Sequence, residues 1–164
     1  MTRALILMRH AKSSWDDPLL DDHDRPLNKR GRKSAQALGD WLRAQEYLPD
    51  QTLCSSSTRT RETLSGLALD TDTHFTEALY HAGAQTLLNQ LQTATGAYVL
   101  MIAHNPGIAD FAERIVQAPP DHARFYDYPT GATLVARFDI DNWAEATWHS
   151  AIAEDFIIPR ALLS

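Results

Sequence analysis

Five consecutive apolar residues, Ala4-Leu5-Ile6-Leu7-Met8, run without alternation and end abruptly in Arg9-His10-Ala11-Lys12-Ser13-Ser14. Such a run, bounded by polar residues, suits a strand buried on both faces of a parallel sheet. A second run, Ala97 to Ala103, has the same character and ends in His104-Asn105-Pro106-Gly107. Strands of this kind need helices over both faces of the sheet, which confines the chain to the α/β class. Open α/β sheets bind ligands just beyond the carboxyl ends of their strands, and Arg9, His10 and His104 fall there.

The rest of the chain alternates in the same way. A polar, acidic loop from Asp16 to Arg25 follows the first strand, and Pro26 and Asn28 lead into a helix with Ala35, Leu38 and Leu42 at helical spacing. Pro49-Asp50 ends that region, and Thr52-Leu53-Cys54 reads as a short strand. A second helix begins in Ser56-Ser57-Thr58, which offers N-cap hydroxyls, and extends to about Leu69. Thr73-His74-Phe75 reads as a short strand, and Leu87, Leu88 and Leu91 mark a third helix. After the second long apolar strand, Ile108, Phe111, Ala112, Ile115 and Val116 form one helical face, which Pro119-Pro120 is expected to stop. Two strands, Ala132 to Phe138 and Ala146 to Ile152, joined through Asp139 to Asn142, close the chain. The expected fold is a three-layer α/β/α sandwich with a mostly parallel central sheet, in a single domain over residues 1–164.

Composition narrows the function classes. A net charge of -6 argues against non-specific nucleic-acid binding. Twelve of the fifteen basic residues are Arg, the planar fork suited to an oxyanion. Genome composition is an equally open reason for that bias. The single cysteine, Cys54, excludes an intrachain disulfide framework and a multi-cysteine zinc site, and its apolar setting reads as a buried thiol. No amino-terminal stretch has the length of a signal-peptide core, and none approaches the ~20 apolar residues of a membrane span. A cytoplasmic protein with no membrane association is expected.

Four segments follow one design, a strand or turn followed at once by groups that bind anions. Arg9-His10 pairs a permanently charged fork with a nitrogen nucleophile that works near neutral pH, although a strand end fraying into solvent would read the same way. Ser55 to Thr63 is a hydroxyl-rich helix start with Arg59 one turn in, where backbone N–H groups favour anions; a well-capped helix with a solvated arginine is the plainer alternative. His104-Asn105-Pro106-Gly107 repeats the strand-to-helix turn, and a structural histidine is possible there too. His23-Asp24-Arg25-Pro26-Leu27-Asn28 lets Arg25 reach in from a loop that is otherwise a solvated charged segment.

Taken together, Leu7-Met8-Arg9-His10-Ala11-Lys12-Ser13, Arg25-Pro26-Leu27-Asn28, Ser55 with Arg59 and Thr63, and Ala103-His104-Asn105-Pro106-Gly107 resemble the histidine phosphatase superfamily, which has the phosphoglycerate mutase-like fold. These matches span residues 5 to 107 in the expected order. Ala11, where the wider superfamily usually has Gly, and the His-Asn-Pro-Gly turn are similar to the SixA-type phosphohistidine phosphatases. The resemblance implies that His10 attacks phosphorus and carries the phosphoryl group. It implies that Arg9, Arg59 and Arg25 bind phosphate oxygens, that His104 stabilises developing charge, and that Asn28 adds a hydrogen bond. Neighbouring arginines would keep His10 neutral. Glu77 lies where the family often has a general acid, but a surface carboxylate at a helix start reads equally well.

The implied enzyme is a cofactor-independent phosphatase, with no metal and no cofactor, acting on a phosphohistidine-bearing partner protein. An N–P bond needs a less strongly positioned acid than an alkoxide leaving group does, and 164 residues leave little chain for enclosing lid loops. A phosphatase for a small phosphoester is the first alternative, and a non-catalytic phosphate-binding module the second. A metal hydrolase built on Asp16, Asp17, Asp21, Asp22 and His23 lacks the glycine-punctuated spacing of a calcium loop. Nothing in the sequence assigns an oligomeric state. His74, His81, His122 and His149 are left open between cleft and surface.

Overall fold

The computed structural model describes residues 1–163. Six strands, β1 (Thr2–Arg9), β2 (Gln51–Ser55), β3 (Asp72–Thr76), β4 (Tyr98–Ala103), β5 (Thr133–Asp139) and β6 (Ile152–Ile157), form one sheet in the order β3-β2-β4-β1-β5-β6. The pairs β3-β2, β2-β4 and β4-β1 are parallel, and β1-β5 and β5-β6 are antiparallel. Only β5 therefore runs against the others, which makes the sheet mostly parallel as the apolar runs imply.

Four helices, α1 (Lys29–Ala44), α2 (Thr58–Leu67), α3 (Ala84–Leu91) and α4 (Gly107–Ile115), complete the three layers. The two faces of β1 show why its run does not alternate. Leu5 and Leu7 pack into the layer containing Leu87, Leu91, Phe111 and Ile115 of α3 and α4. Ile6 and Met8 pack into the opposite layer with Leu38, Leu42 and Leu67 of α1 and α2. A strand covered on both faces has no side on which to place a polar residue.

Caps and close approaches fix the helix starts. Ser57 caps α2, its side chain accepting from Thr60 N, as its hydroxyl-rich sequence predicts. Gly31, in the first turn of α1, lies so close to the segment after β1 that a Cβ there would stand 2.1 Å from the Lys12 carbonyl oxygen. Gly107 opens α4 against the Ala82 carbonyl oxygen, with a Cβ position 1.8 Å away. Both helix starts can approach the site loops only without a side chain.

Two expectations fail at the carboxyl-terminal end. The last strand is Ile152–Ile157 rather than Ala146 to Ile152. The segment before it instead forms a 3-10 turn, Trp143–Glu145, closed by a reciprocal capping box between Asn142 and Glu145. That turn buries Trp143 against Phe138 and donates its indole N–H to the Gly96 carbonyl. The prolines are likewise not what ends α4. Val116 is already extended and forms an isolated bridge with Ala151, so pairing stops the helix before Pro119.

Tyr128 ties the loop before β5 to the sheet. Its fully buried hydroxyl donates to the Leu7 carbonyl and accepts from Leu134 N, two residues that face each other across β1 and β5. Tyr128→Phe leaves both backbone groups buried without this partner, which should cost about 1–3 kcal/mol. Urea unfolding should show a lower midpoint with an unchanged slope; an unchanged midpoint would mean that water replaces the hydroxyl at no cost.

Candidate active site

The β1-β4 register brings the two histidines together. Arg9 pairs with Ala103, so His10 and His104 leave adjacent parallel strands side by side, and His10 N donates to the Ala103 carbonyl at 3.2 Å. Their ring centroids are 5.2 Å apart. Arg9, His10, Arg25, Arg59 and His104 line one cavity of about 460 Å³, together with Asp22, His81, Asn105 and Thr130. Five of the seven residues predicted for the site thus converge.

Local bonds hold the nucleophile candidate in one state. The His10 Nδ1–H donates to the Ala11 carbonyl at 2.7 Å, which assigns the proton to Nδ1 and leaves the Nε2 lone pair unprotonated. Ala11 N in turn donates to the Thr63 hydroxyl, and that hydroxyl donates to the Arg59 carbonyl. The loop carrying His10 is therefore clamped to the helix carrying Arg59. Burial, followed by the charges of Arg9, Arg59 and Arg25, pushes the His10 pKa down to about 3, despite the opposing bond to Ala11.

His104 is neutral as well. Burial, then His10 and Arg59, pushes its pKa down to about 2. Its Nε2 lies 2.8 Å from the Ser55 hydroxyl. With the Ser55 hydroxyl donating to Nε2, the His104 proton sits on Nδ1. A neutral ring can stabilise developing charge only as an N–H donor, not as an imidazolium. Among the described residues, two buried side-chain polar atoms lack a hydrogen-bond partner, Arg9 Nε and His104 Nδ1. Buried orphans are rare in folded proteins, and both residues line this cavity.

Asp22 is the residue that sequence reasoning missed. The loop read as solvated carries a 3-10 turn, Asp22–Asp24. The Asp22 carboxylate accepts from Arg25 at 3.1 Å, from Arg59 at 3.0 Å and from the Tyr80 hydroxyl at 2.5 Å. Arg59 also donates to the Asp22 carbonyl at 2.7 Å. Burial pushes this carboxyl up, but the bonds from Tyr80 and Arg59 and the charges of Arg59 and Arg25 together prevail and hold it at about 2. Two arginine forks therefore converge on an internal anion. Its spacing of three residues before Arg25 was a usable signal, whereas its link to Tyr80 is purely tertiary. Trp15 lies over the Arg25 guanidinium at 3.4 Å.

Two predicted site residues stand elsewhere. Asn28 caps α1, its side-chain oxygen accepting from Gly31 N at 2.7 Å, and it does not line the cavity. Glu77 opens an exposed 3-10 turn, Glu77–Leu79, and does not line the cavity. Strand β3 sits at the sheet edge, and the turn after it directs Tyr80 and His81 toward Asp22 instead. Of the other histidines left open, His81 lines the cavity and His122 stacks on Phe156. His74 belongs to β3, and His149 lies before β6. No group of three or more His, Cys, Asp or Glu among the described residues is placed to hold a metal ion. Among the described residues, no helix is long and apolar enough to cross a membrane.

Two neutral histidines and Arg9 at parallel strand ends, with Arg59 from α2 and Arg25 from the loop before α1, form a donor set matched to a tetrahedral oxyanion. Comparison with known proteins agrees with that class. The model of the histidine phosphatase superfamily (branch 1) matches residues 5–83. An uncharacterized protein of Mycobacterium leprae (strain TN) is 36% identical over 162 residues, covering 93% of this chain and 100% of the relative. One from Mycobacterium tuberculosis (strain H37Rv) is 32% identical over 160 residues, with the same coverage. A solved structure assigned as phosphohistidine phosphatase SixA from Nakamurella multipartitia superposes with a TM-score of 0.87 at 27% identity, over 97% of each chain. The protein histidine phosphatase SixA complexed with tungstate superposes with a TM-score of 0.79 at 20% identity, over 97% of this chain and 99% of that one, a likeness of fold. The chain belongs to the histidine phosphatase superfamily and is SixA-like.

The depressed histidine values carry a pH signature. Below the ordinary value of 6.5 the unfolded chain takes up protons that His10 and His104 refuse until about 3 and about 2. Their neutral burial therefore draws down native stability as pH falls from 6.5 toward 3. Imidazole NMR should show no protonation of either ring between pH 7 and pH 4. A midpoint near 6.5 for His10 would contradict the geometry.

Proposed function

We propose that the protein is a phosphatase that forms a covalent phosphohistidine on His10 and hydrolyses phosphohistidine on a partner protein. The observation that carries this reading is the His10 tautomer: a buried imidazole, protonated on Nδ1, with its Nε2 lone pair free in a cavity walled by Arg9, Arg25 and Arg59. In the first step Nε2 attacks phosphorus and the bond from phosphorus to the substrate nitrogen breaks. Attack places positive charge on the His10 ring, and the Ala11 carbonyl accepting from Nδ1–H stabilises it. The departing imidazole keeps the bonding pair and takes a proton from solvent. In the second step water attacks the phosphorus bonded to Nε2, the P–N bond breaks with its electron pair returning to Nε2, and the water's proton passes to solvent, releasing phosphate and restoring the neutral ring.

The arginines and the His104 Nδ1–H supply donors for the phosphoryl oxygens during both steps. Asp22 holds Arg25 and Arg59 in place before substrate enters and partly offsets their mutual repulsion. Nothing in this scheme assigns a task to Glu77 or Asn28. The exposed position of Glu77 favours a substrate whose leaving group needs little acid assistance, which supports phosphohistidine over a phosphomonoester. No metal or cofactor enters the scheme.

A substrate panel tests the reading. The protein should show its highest kcat/KM on phosphohistidine proteins, well above sugar and nucleotide monophosphates, and Glu77→Gln should leave every rate within about twofold. Efficient hydrolysis of small phosphoesters with phosphohistidine proteins untouched would overturn the substrate. A large loss on phosphoesters in Glu77→Gln would restore that residue as the acid.

A further inference from the structure

Beside the phosphate cavity lies a second one of about 250 Å³, and the two share Lys12 and Thr130. Lys12, Arg30, Arg124 and Arg160 line it over a floor that includes Ile158 and Pro159, and no Asp or Glu is among its lining residues. The four cations come from separate parts of the chain: the segment after β1, the first turn of α1, the loop before β5 and the last 3-10 turn. In a chain of net charge -6 this concentration stands against the overall balance.

The charges there are largely uncompensated. Arg124 is paired with Asp127 at 2.8 Å. Lys12, Arg30 and Arg160 form no ion pair within 4.0 Å among the described residues. Like charges held together without counterions raise the local potential and favour an anionic ligand. The cavity also joins the phosphate site directly: Lys12 lies two residues beyond His10, and its carbonyl accepts from Asn28 N at the start of α1. The shared residues Lys12 and Thr130 place the second cavity next to a substrate held at His10.

We propose that this basic cavity is a substrate-recognition subsite that takes a second anionic group, the carboxylate of a Glu or Asp beside the phosphorylated histidine. The proposal rests on the phosphohistidine reading above and specifies which such proteins the enzyme prefers. The guanidinium and ammonium groups pair with the carboxylate, and Ile158 and Pro159 cover the aliphatic stem of its side chain. Phosphoryl transfer proceeds in the first cavity, and the second sets KM for acidic substrates.

The test uses two histidine peptides phosphorylated with phosphoramidate, identical except for Glu or Gln beside the phosphohistidine, with p-nitrophenyl phosphate as a reference substrate. The wild-type protein should favour the Glu peptide through KM, and the preference should fade as salt is raised. The Arg30→Gln/Arg160→Gln variant should lose about tenfold in kcat/KM on the Glu peptide, the sum of two partly exposed ion pairs. It should match wild type on the Gln peptide and on p-nitrophenyl phosphate. Equal losses on all three, or a preference that survives in the variant, would overturn the subsite. If wild type ignores both peptides yet turns over p-nitrophenyl phosphate, the phosphohistidine reading fails separately. The variant is then compared on a sugar bisphosphate: a selective loss there keeps an anion subsite for a small substrate, and parallel rates remove it.

Discussion

The pairing of β1 with β4 is the constraint on which the candidate site depends. Parallel hydrogen bonding sets Arg9 against Ala103, and the next residue of each strand is a histidine. A slip of one residue would turn His10 to the other face and bury a polar ring among the helices. Register is held because every residue from Ala4 to Met8 and from Val99 to Ala103 is buried on a defined face. The apolar run that dictates the fold is therefore the same feature that positions the chemistry. Glycines at 31 and 107 then allow α1 and α4 to close on the strand ends without displacing them.

Electrostatic balance governs what the site can do. Three buried or half-buried arginines in one cavity repel one another, and burial, reinforced by all three at His10 and by Arg59 at His104, keeps both histidines neutral. Asp22 offsets part of that charge from a flexible-looking acidic loop that is in fact bonded to Arg25, Arg59 and Tyr80. A phosphoryl group arriving at His10 would compete with Asp22 for the same guanidinium forks. Arg9 Nε and His104 Nδ1, which have no internal partner, remain available to it without such competition.

Much of this was legible in the amino-acid sequence, for physical reasons. Long apolar runs and N-cap hydroxyls are local signals, so β1, β4, the start of α2 and the layer order could be derived from them. The convergence of Arg9, His10, Arg25, Arg59 and His104 followed from strand ends and from the family resemblance. Asn28 and Glu77 stand outside the cavity lining, because spacing does not encode side-chain direction. Asn28 turns back on its own helix, and Glu77 is exposed on the turn after the edge strand, outside the cavity lining. Asp22 and the Tyr80 hydroxyl escaped because their contact joins residues far apart in sequence. The last strand begins only at Ile152, after the 3-10 turn that buries Trp143.

The central claim is that the neutral Nε2 of His10 becomes covalently bonded to phosphorus during turnover. Alkaline quenching of the protein during hydrolysis of a phosphohistidine peptide, followed by mass-spectrometric mapping, tests it directly, because phosphohistidine survives alkali. The account predicts one phosphoryl group per molecule, located on His10 and absent from His10→Ala. Turnover at full rate with no phosphoryl group on His10, or with the group on another residue, would contradict it.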